Sequence, residues 1–289
     1  MASLRDIRRR IKSVKNTAQI TKAMQMVAAS KMRKAQEAAL NGRPYALLLN
    51  RVLVSLRNRL DEKVHPLLEK REVINELVVL LSTDKGLCGG LNTNLFREVT
   101  NFDPKTTKFV SVGRKGTVFL ARTKRNMIAD FPLKDHPTFL ETKTISKFFI
   151  ERFLSGEVDK VTVLFPRFVN TLTQKPTAVT LLPITSLEEA GLPGDLEPPI
   201  PEPAGDIIFE PSPEKILENI VPYYVHFELF QMLLGTRASE HSARMVAMKS
   251  ATDNAKEIVK DLTLEYNKER QANITKELLE ITTAQLALG

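Results

Sequence analysis

"LGTRASEHSARMVAMKSATDNAKEIVKDLTLEY", residues 234–266, decides how the chain is built. Leu234, Ala238, His241, Met245, Met248, Thr252, Ala255, Val259, Leu262 and Tyr266 stand alternately four and three apart within it. That spacing averages about 3.5 residues, the repeat of a left-handed coiled-coil seam. The side chains on it are small and mixed, which suits close approach of two helices more than a leucine-rich dimer seam. Beyond the polar run "NKERQ" the phase slips, and Ile274, Leu278 and Ile281 stand one residue out of step. A helix that has outrun its partner would read this way.

The partner lies at the other end of the chain. Residues 3–57 have a helical pattern with a narrow apolar stripe at Leu4, Ile7, Ile11, Val14 and Ala18, and later at Ile20, Met24, Val27 and Ala28. Two stripes at opposite ends of a shared middle region close most simply as an antiparallel pair. Asn41, Gly42 and Pro44 interrupt the first segment. Proline in a helix interior costs ~3 kcal/mol, which predicts a kink or a short break there. In the last segment Ser212 is placed to cap, Pro213 to open the helix and Glu214 to face its positive first turn, while Pro222 predicts a bend. At 1.5 Å per residue, a helix over 213–286 is ~110 Å long against ~80 Å for the first. Part of it therefore projects alone or touches other chains.

Between the two helices the pattern changes period. "EVINELVVLLS" (72–82), "KFVSVG" (108–113), "KVTVLFP" (160–166) and "TAVTLLPI" (177–184) are apolar runs of strand length. Helix-compatible stretches near 91–101, 115–123 and 143–154 separate them. Alternation of this kind predicts a small open sheet flanked by helices. "GLPGDLEPPIPEP" (191–203) holds five prolines and two glycines and is expected to be an exposed loop or insertion. The expected fold is thus α/β: a long antiparallel coiled coil of N- and C-terminal helices plus a Rossmann-like α/β middle domain. The boundaries are 1–60 for the first helix, 72–190 for the α/β domain, 191–211 for the proline-rich loop and the segment after it, and 212–289 for the last helix.

Charge is distributed unevenly. Residues 1–60 contain fourteen Lys and Arg against Asp6 and Glu37, a net +12, so the remainder carries −4 of a total of +8. Such a block repels itself unless an acidic protein surface, anionic lipid or nucleic acid answers it. Residues 1–44 contain no aromatic side chain, whereas single-strand binders interleave stacking platforms with their basic residues. Nucleic acid is therefore not expected as a partner. The arginine-rich start is read as mature protein, because it runs without a cleavage-like break into the helical pattern. No apolar run approaches the ~20 residues of a membrane-spanning helix. Cys88 is the sole cysteine of the 289 residues, which excludes an internal disulfide and any CxxC redox or zinc arrangement.

"STDKGLCGGLNTN" (82–94) follows an apolar run and precedes a helix pattern, the layout of a phosphate loop. Its glycines, Gly86, Gly89 and Gly90, match neither GxGxxG nor GxxxxGK[ST]. Arg114 and Lys115, after the second strand, could answer a 2′-phosphate in a dinucleotide site. The alternative function is accordingly an NADP- or ATP-binding enzyme using the 84–90 loop. The structural reading is a tight strand-to-helix turn with Asn92 or Thr93 as cap. His65, His136, His226 and His241 form no metal-ligand pair, and His241 falls on the coiled-coil stripe as a packing residue. Asp84 alone is no metal site, and no cofactor is expected.

"ITKAMQMVAASKMRKAQ" (20–36), "STDKGLCGGLN" (82–92), "ASEHSARMVAMKSATDNA" (238–255) and "YNKERQANITKELLEI" (266–281) together resemble the gamma subunits of F-type ATP synthases. The resemblance implies a rotor shaft that is not an enzyme by itself. It would stand as one copy inside a hexamer of alternating alpha and beta subunits, the catalytic head CF(1), and its α/β domain would not bind nucleotide. It implies contacts with beta subunits at Met24, Arg244, Gln271 and Thr275, the basic first helix facing acidic lever segments of beta. It also implies contacts with the epsilon subunit and the proton-driven membrane c-ring through "IIFEP" (207–211), at Phe209 and Glu210. ATP synthesis coupled to hydrogen ion transport follows, with peripheral attachment to the cytoplasmic face of a bacterial plasma (inner) membrane. Chloroplast relatives carry a regulatory cysteine pair; with Cys88 alone, no thiol switch is expected.

Overall fold

The computed structural model describes residues 3–57, 65–132, 135–184, 210 and 212–288. The proline-rich segment 191–203 and Phe209 lie outside the described residues. The elements run α1 (Leu4–Arg57), β1 (Glu76–Leu81), α2 (Leu91–Val99), β2 (Thr107–Val112), α3 (Arg114–Arg122), β3 (Met127–Phe131), α4 (Phe139–Leu154), β4 (Lys160–Phe168), β5 (Gln174–Leu182) and α5 (Pro213–Leu288). Two compact units divide them. One is Met1–Ala28 with Met245–Gly289, and the other is Ala29–Arg244.

The first unit is an antiparallel coiled coil. On α5 the predicted stripe is the shielded one: Met248, Thr252 and Ala255 are buried and Met245, Val259, Leu262 and Tyr266 half-buried. On α1 the shielded positions are Leu4, Ile7, Ile11, Val14, Ala18, Thr21, Met24 and Ala28. Two expected members drop out, since Ile20 is 61% and Val27 57% exposed. A period of about 3.5 from Ala18 lands on residue 21, so the seam takes a threonine in preference to the adjacent isoleucine. The Thr21 and Thr252 hydroxyls meet across it at 2.7 Å. One of them donates across the seam, which leaves the other to donate to the carbonyl four residues back, that of Thr17 or Met248. Counted outward from this pair along helices of equal rise, Ala18 falls opposite Ala255, Val14 opposite Val259, Ile11 opposite Leu262, Ile7 opposite Tyr266 and Leu4 opposite Glu269. Residues 270–285 are exposed on every side. The phase slip read in the sequence marks the point where α1 has run out.

The second unit is built on a five-stranded sheet of order β3-β2-β1-β4-β5. β1 pairs in parallel with β2 and β4, β2 in parallel with β3, and β5 is antiparallel to β4. Alternate residues of β1 serve different cores. Leu77, Val79 and Leu81 join a cluster with Phe149 and Phe153 of α4, Leu49 and Leu53 of α1, and Val221 and Leu229 of α5. Val78 and Leu80 join Leu95 and Val99 of α2 and Leu120 of α3. Burial on both faces is why β1 reads as an unbroken apolar run instead of an alternating one. The edge strand β3 was not anticipated, since "MIADF" is short and its pattern weak; it exists because β2 offers a free edge. α4 begins at Phe139, earlier than expected, behind a capping box of Thr138 and Glu141.

The predicted break at residues 41–44 does not occur: α1 carries Pro44 inside it, and α5 likewise runs through Pro222. Tyr45, the next residue, packs edge-on against Phe227 at 5.0 Å and Tyr223 at 6.1 Å. Ala46, Leu49, Leu53 and Leu56 beyond it are buried. Burial of such side chains contributes ~1.5–3 kcal/mol each and outweighs the ~3 kcal/mol cost of one proline. Gly42 is likewise a point of close approach and not a stop, because a Cβ there would lie 1.9 Å from Gln231 Nε2 of α5.

Glu228 of α5 is 4% exposed, and desolvation pushes its carboxyl up to about 7. A folded pKa raised above the unfolded one favours the native state fully below about pH 4.5, and that contribution is lost as pH rises through about 7. Glu228→Gln should therefore raise the melting temperature more at pH 8 than at pH 5. Equal shifts at the two pH values would show that Glu228 ionises in the fold as it does in the unfolded chain.

Candidate functional site

The glycine loop stands at the carboxyl end of β1, next to the position where strand order reverses between β2-β1 and β1-β4. In open α/β sheets that crevice is where a ligand binds. Here the chain's own α5 occupies it. Ala243 packs on Cys88 and Leu91. Its neighbour Ser242 donates its hydroxyl to the Thr171 carbonyl at 2.7 Å, in the β4–β5 turn. On the other side Arg244 donates from Nη2 and Nε to the Gly86 carbonyl and from Nη2 to the Lys85 carbonyl, all at 3.3 Å.

The loop is also satisfied from within. Leu87 and Gly89 both adopt positive φ, 62° and 58°, which closes the turn. Gly90, and neither Asn92 nor Thr93, is the N-cap of α2, and no side chain caps it. Asn92 turns back instead. Its amide donates to Thr83 Oγ1 at 2.7 Å and to Cys88 Sγ at 3.4 Å, while its oxygen accepts the Thr83 N–H. Cys88 is buried, and that burial pushes its thiol above the ordinary range against the pull of Arg244. It is a packing residue with little thiolate to offer.

The start of α3, where Arg114 and Lys115 would meet a phosphate, is already supplied with acceptors. The Arg114 N–H donates to Asp84 Oδ1 at 2.9 Å, the Lys115 N–H to the Thr83 carbonyl at 2.9 Å and the Gly116 N–H to Ser82 Oγ at 2.8 Å. An incoming anion would have to displace the Asp84 carboxylate from the helix terminus that it already neutralises. The approach is too tight for any other residue at Gly113, whose φ is 103° and whose Cβ would sit 2.4 Å from the Ser82 carbonyl oxygen.

Around Asp84 the side chains form a ladder of alternating charge. Arg237 of α5, 1% exposed, reaches Asp84 Oδ2 at 3.5 Å from Nη2 and Glu240 Oε2 at 2.5 Å from Nη1. Glu240 passes its other oxygen to Arg244 Nη2 at 2.7 Å. His241 lies beside it, pushed down to about 4 mainly by burial, and its neutral Nδ1 stands 3.4 Å from Arg244 Nη1. Sequence reasoning did not find Arg237 or Glu240. The spacing R-x-x-E-x-x-x-R, residues three and four apart on one helix face, was the available signal.

The other predicted contact residues fall as follows. Met24 is half-buried on the α1 seam, and Gln271 and Thr275 are exposed on α5 beyond the end of that seam. These last two adjoin, since the Thr275 hydroxyl donates to the Gln271 carbonyl at 2.9 Å. Arg244 is committed to the loop described above. Glu210 is exposed. A groove of about 500 Å³ is lined by Tyr45, Lys215, Ile216, Asn219, Ile220 and Tyr223 and by no residue of the glycine loop. Among the described residues no group of three or more His, Cys, Asp or Glu side chains is arranged to hold a metal ion.

Residues 3–288 match the family model described as ATP synthase. The chain is 51% identical over 293 residues to the ATP synthase gamma chain of Opitutus terrae, with 99% of each chain covered. It is also 51% identical over 294 residues to that of Methylacidiphilum infernorum, with both chains fully covered. Among solved structures it is similar to a chain of the Tetrahymena thermophila mitochondrial ATP synthase central stalk and c-ring. That match has a TM-score of 0.62 and 26% identity, and covers 80% of this chain and 99% of that one. A chain of the Euglena gracilis mitochondrial ATP synthase shares the fold at TM-score 0.66 and 20% identity, over 99% of this chain and 94% of that one.

Titration of the whole chain with ATP or NADP, followed by calorimetry, is expected to give no saturable heat. A saturable isotherm would mean that α5 leaves the crevice and that the loop binds nucleotide after all.

Proposed function

The chain belongs to the gamma chains of the ATP synthases, and from that membership we propose how its residues divide the work of a rotor. It is the central shaft of an F-type enzyme, coupling rotation of the proton-driven ring to conformational cycling of the catalytic beta subunits. Its partners are the alpha and beta subunits of the head, the epsilon subunit and the c-ring. Catalysis belongs to the beta sites in this reading, and the chain itself is non-catalytic and holds no cofactor. The coiled coil of Met1–Ala28 with Met245–Gly289 is the shaft in this reading, and Ala29–Arg244 holds the α/β domain.

The observation that carries the reading is the end of the seam. α1 is matched out to Glu269, whereas α5 continues to Leu288 with Ile274, Leu278, Leu279 and Ile281 each 49–60% exposed. An apolar helix end that its own chain leaves uncovered suits enclosure by other subunits. Arg5, Arg8, Arg9, Arg10, Lys12, Lys15 and Lys22 are all exposed, a basic face suited to the acidic levers of beta. Met24, Gln271 and Thr275 meet beta subunits on this reading. Arg244 does so from the edge of its guanidinium not held by the loop. Phe209 and Glu210 serve the foot, towards epsilon and the ring.

The mechanism is differential contact. A rotating shaft changes nucleotide affinity only by binding the successive beta conformations unequally, and an asymmetric pair of helices does this because each azimuth presents different side chains. No helix among the described residues is long and apolar enough to cross a membrane. Peripheral attachment through the complex, at the cytoplasmic face of a bacterial inner membrane, accounts for its place.

Mixed with alpha and beta subunits of its own organism and analysed by size-exclusion light scattering, the chain should enter as one copy per hexamer. Absence of a complex with partners competent to assemble would overturn the shaft reading. Deletion of 277–289 should lower ATP synthesis in a graded way, because the paired region that stiffens the shaft ends before it. Complete loss with assembly intact would make the single-helix tip the torque-bearing element.

A further inference from the structure

Arg237 has no part in the contacts proposed above, yet among the described residues it heads the fully buried side chains by size. Burying a guanidinium is costly unless carboxylates answer it, and two carboxylates on different elements contact this one. Glu240 is one turn along α5, while Asp84 follows β1 and is itself fixed by the Arg114 N–H at the start of α3. Glu240 then holds Arg244, which holds the Lys85 and Gly86 carbonyls. Contact thus passes from the carboxyl end of β1 to α5 at Asp84, along one face of α5, and back to the loop after β1 at Lys85 and Gly86. Apart from the ladder and the buried His241, residues 235–243 of α5 are small: Gly235, Thr236, Ala238, Ser239, Ser242 and Ala243. Small side chains resist separation of a helix from its support but have little shape with which to resist its rotation, and the Ser242 hydroxyl on the Thr171 carbonyl is a further directional contact of this stretch. The hydrogen bonds of Arg244 to the Lys85 and Gly86 carbonyls are directional and do resist it, and the Asp84–Arg237 ion pair at 3.5 Å adds an attraction between the same two elements.

We infer that Arg237 is a positioning residue for rotary coupling. Through the Asp84–Arg237–Glu240–Arg244 ladder it locks the azimuth of α5 to the α/β domain, so that torque passes between them without slip. The inference rests on the shaft reading. Its removal should leave turnover in the head largely intact while weakening what the shaft delivers under load.

The test uses the complex with alpha and beta subunits, with a bead attached to the α/β domain through Lys105→Cys, an exposed position. ATP hydrolysis in bulk and rotation of small and large beads are compared for the parent complex, Arg237→Met, Arg237→Lys and Asp84→Asn. Small-bead rotation and hydrolysis should stay near parent values in Arg237→Met. Torque against a large bead should fall by about two-fold or more, with partial recovery in Arg237→Lys, which keeps the charge but not the fork. Undiminished torque in assembled Arg237→Met overturns the inference. If that variant does not assemble, Asp84→Asn, altered at a side chain still 31% exposed, decides the matter: reduced torque supports the lock and parental torque overturns it. A parent complex that hydrolyses ATP without turning the bead overturns the shaft reading, and the inference with it.

Discussion

A guanidinium with 1% exposure in the middle of a long helix sets the terms for the rest of the structure. Isolated, the charge of Arg237 would cost several kcal/mol to hold out of water. Asp84 and Glu240 must therefore be in place whenever α5 lies on the sheet. That requirement ties the end of β1, the start of α3 and one turn of α5 into a single arrangement. It also explains why a loop with the appearance of a phosphate cradle is a bearing for a helix. The amides at the start of α3 and the carboxylate that neutralises them are both supplied by the chain.

The coiled coil is governed by a different constraint. Its seam is polar at one point, where Thr21 and Thr252 share a hydrogen bond. A slip in register that separated the two would forfeit this hydrogen bond, a net loss of ~0.5–1.5 kcal/mol, while each hydroxyl kept the carbonyl four residues back on its own helix. Small residues such as Ala18, Ala28 and Ala255 bring the helices close but would tolerate several registers; the threonine pair discriminates among them. A shaft assembled this way combines close packing with one defined alignment. The alignment in turn determines that Leu4 is opposite Glu269 and that residues 270–285 of α5 are left exposed.

Function follows from the division between these two regions. One part of α5 has its charged groups answered inside the chain, at Arg237, Glu240 and Arg244. The other part has apolar groups that the chain leaves uncovered, at Ile274, Leu278 and Ile281. On the proposed reading, mechanical coupling uses both surfaces, the first as an internal grip and the second to meet the catalytic subunits unequally as it turns.

Much of this was legible in the sequence. The four-three stripe of 234–266, its phase slip, four of the five strands, and the start of α5 at Pro213 were all readable, because helix and strand periods are local and burial imposes them on composition. The glycine loop was legible as a turn, since its spacing lacks both phosphate fingerprints. What only the tertiary structure decided were choices between near-equivalent local options. Thr21 displaced Ile20 from the seam because register is set by the partner helix. Pro44 stayed within α1 because the apolar burial beyond it outweighed the lost hydrogen bond. β3 formed because β2 offered it an edge. Gly90 took the cap from Asn92 because Thr83 and Cys88 claimed that amide. The buried Arg237 was least visible of all: a lone arginine on a polar-looking helix face reads as solvated, and only the approach of Asp84, 153 positions earlier in the chain, makes it interior.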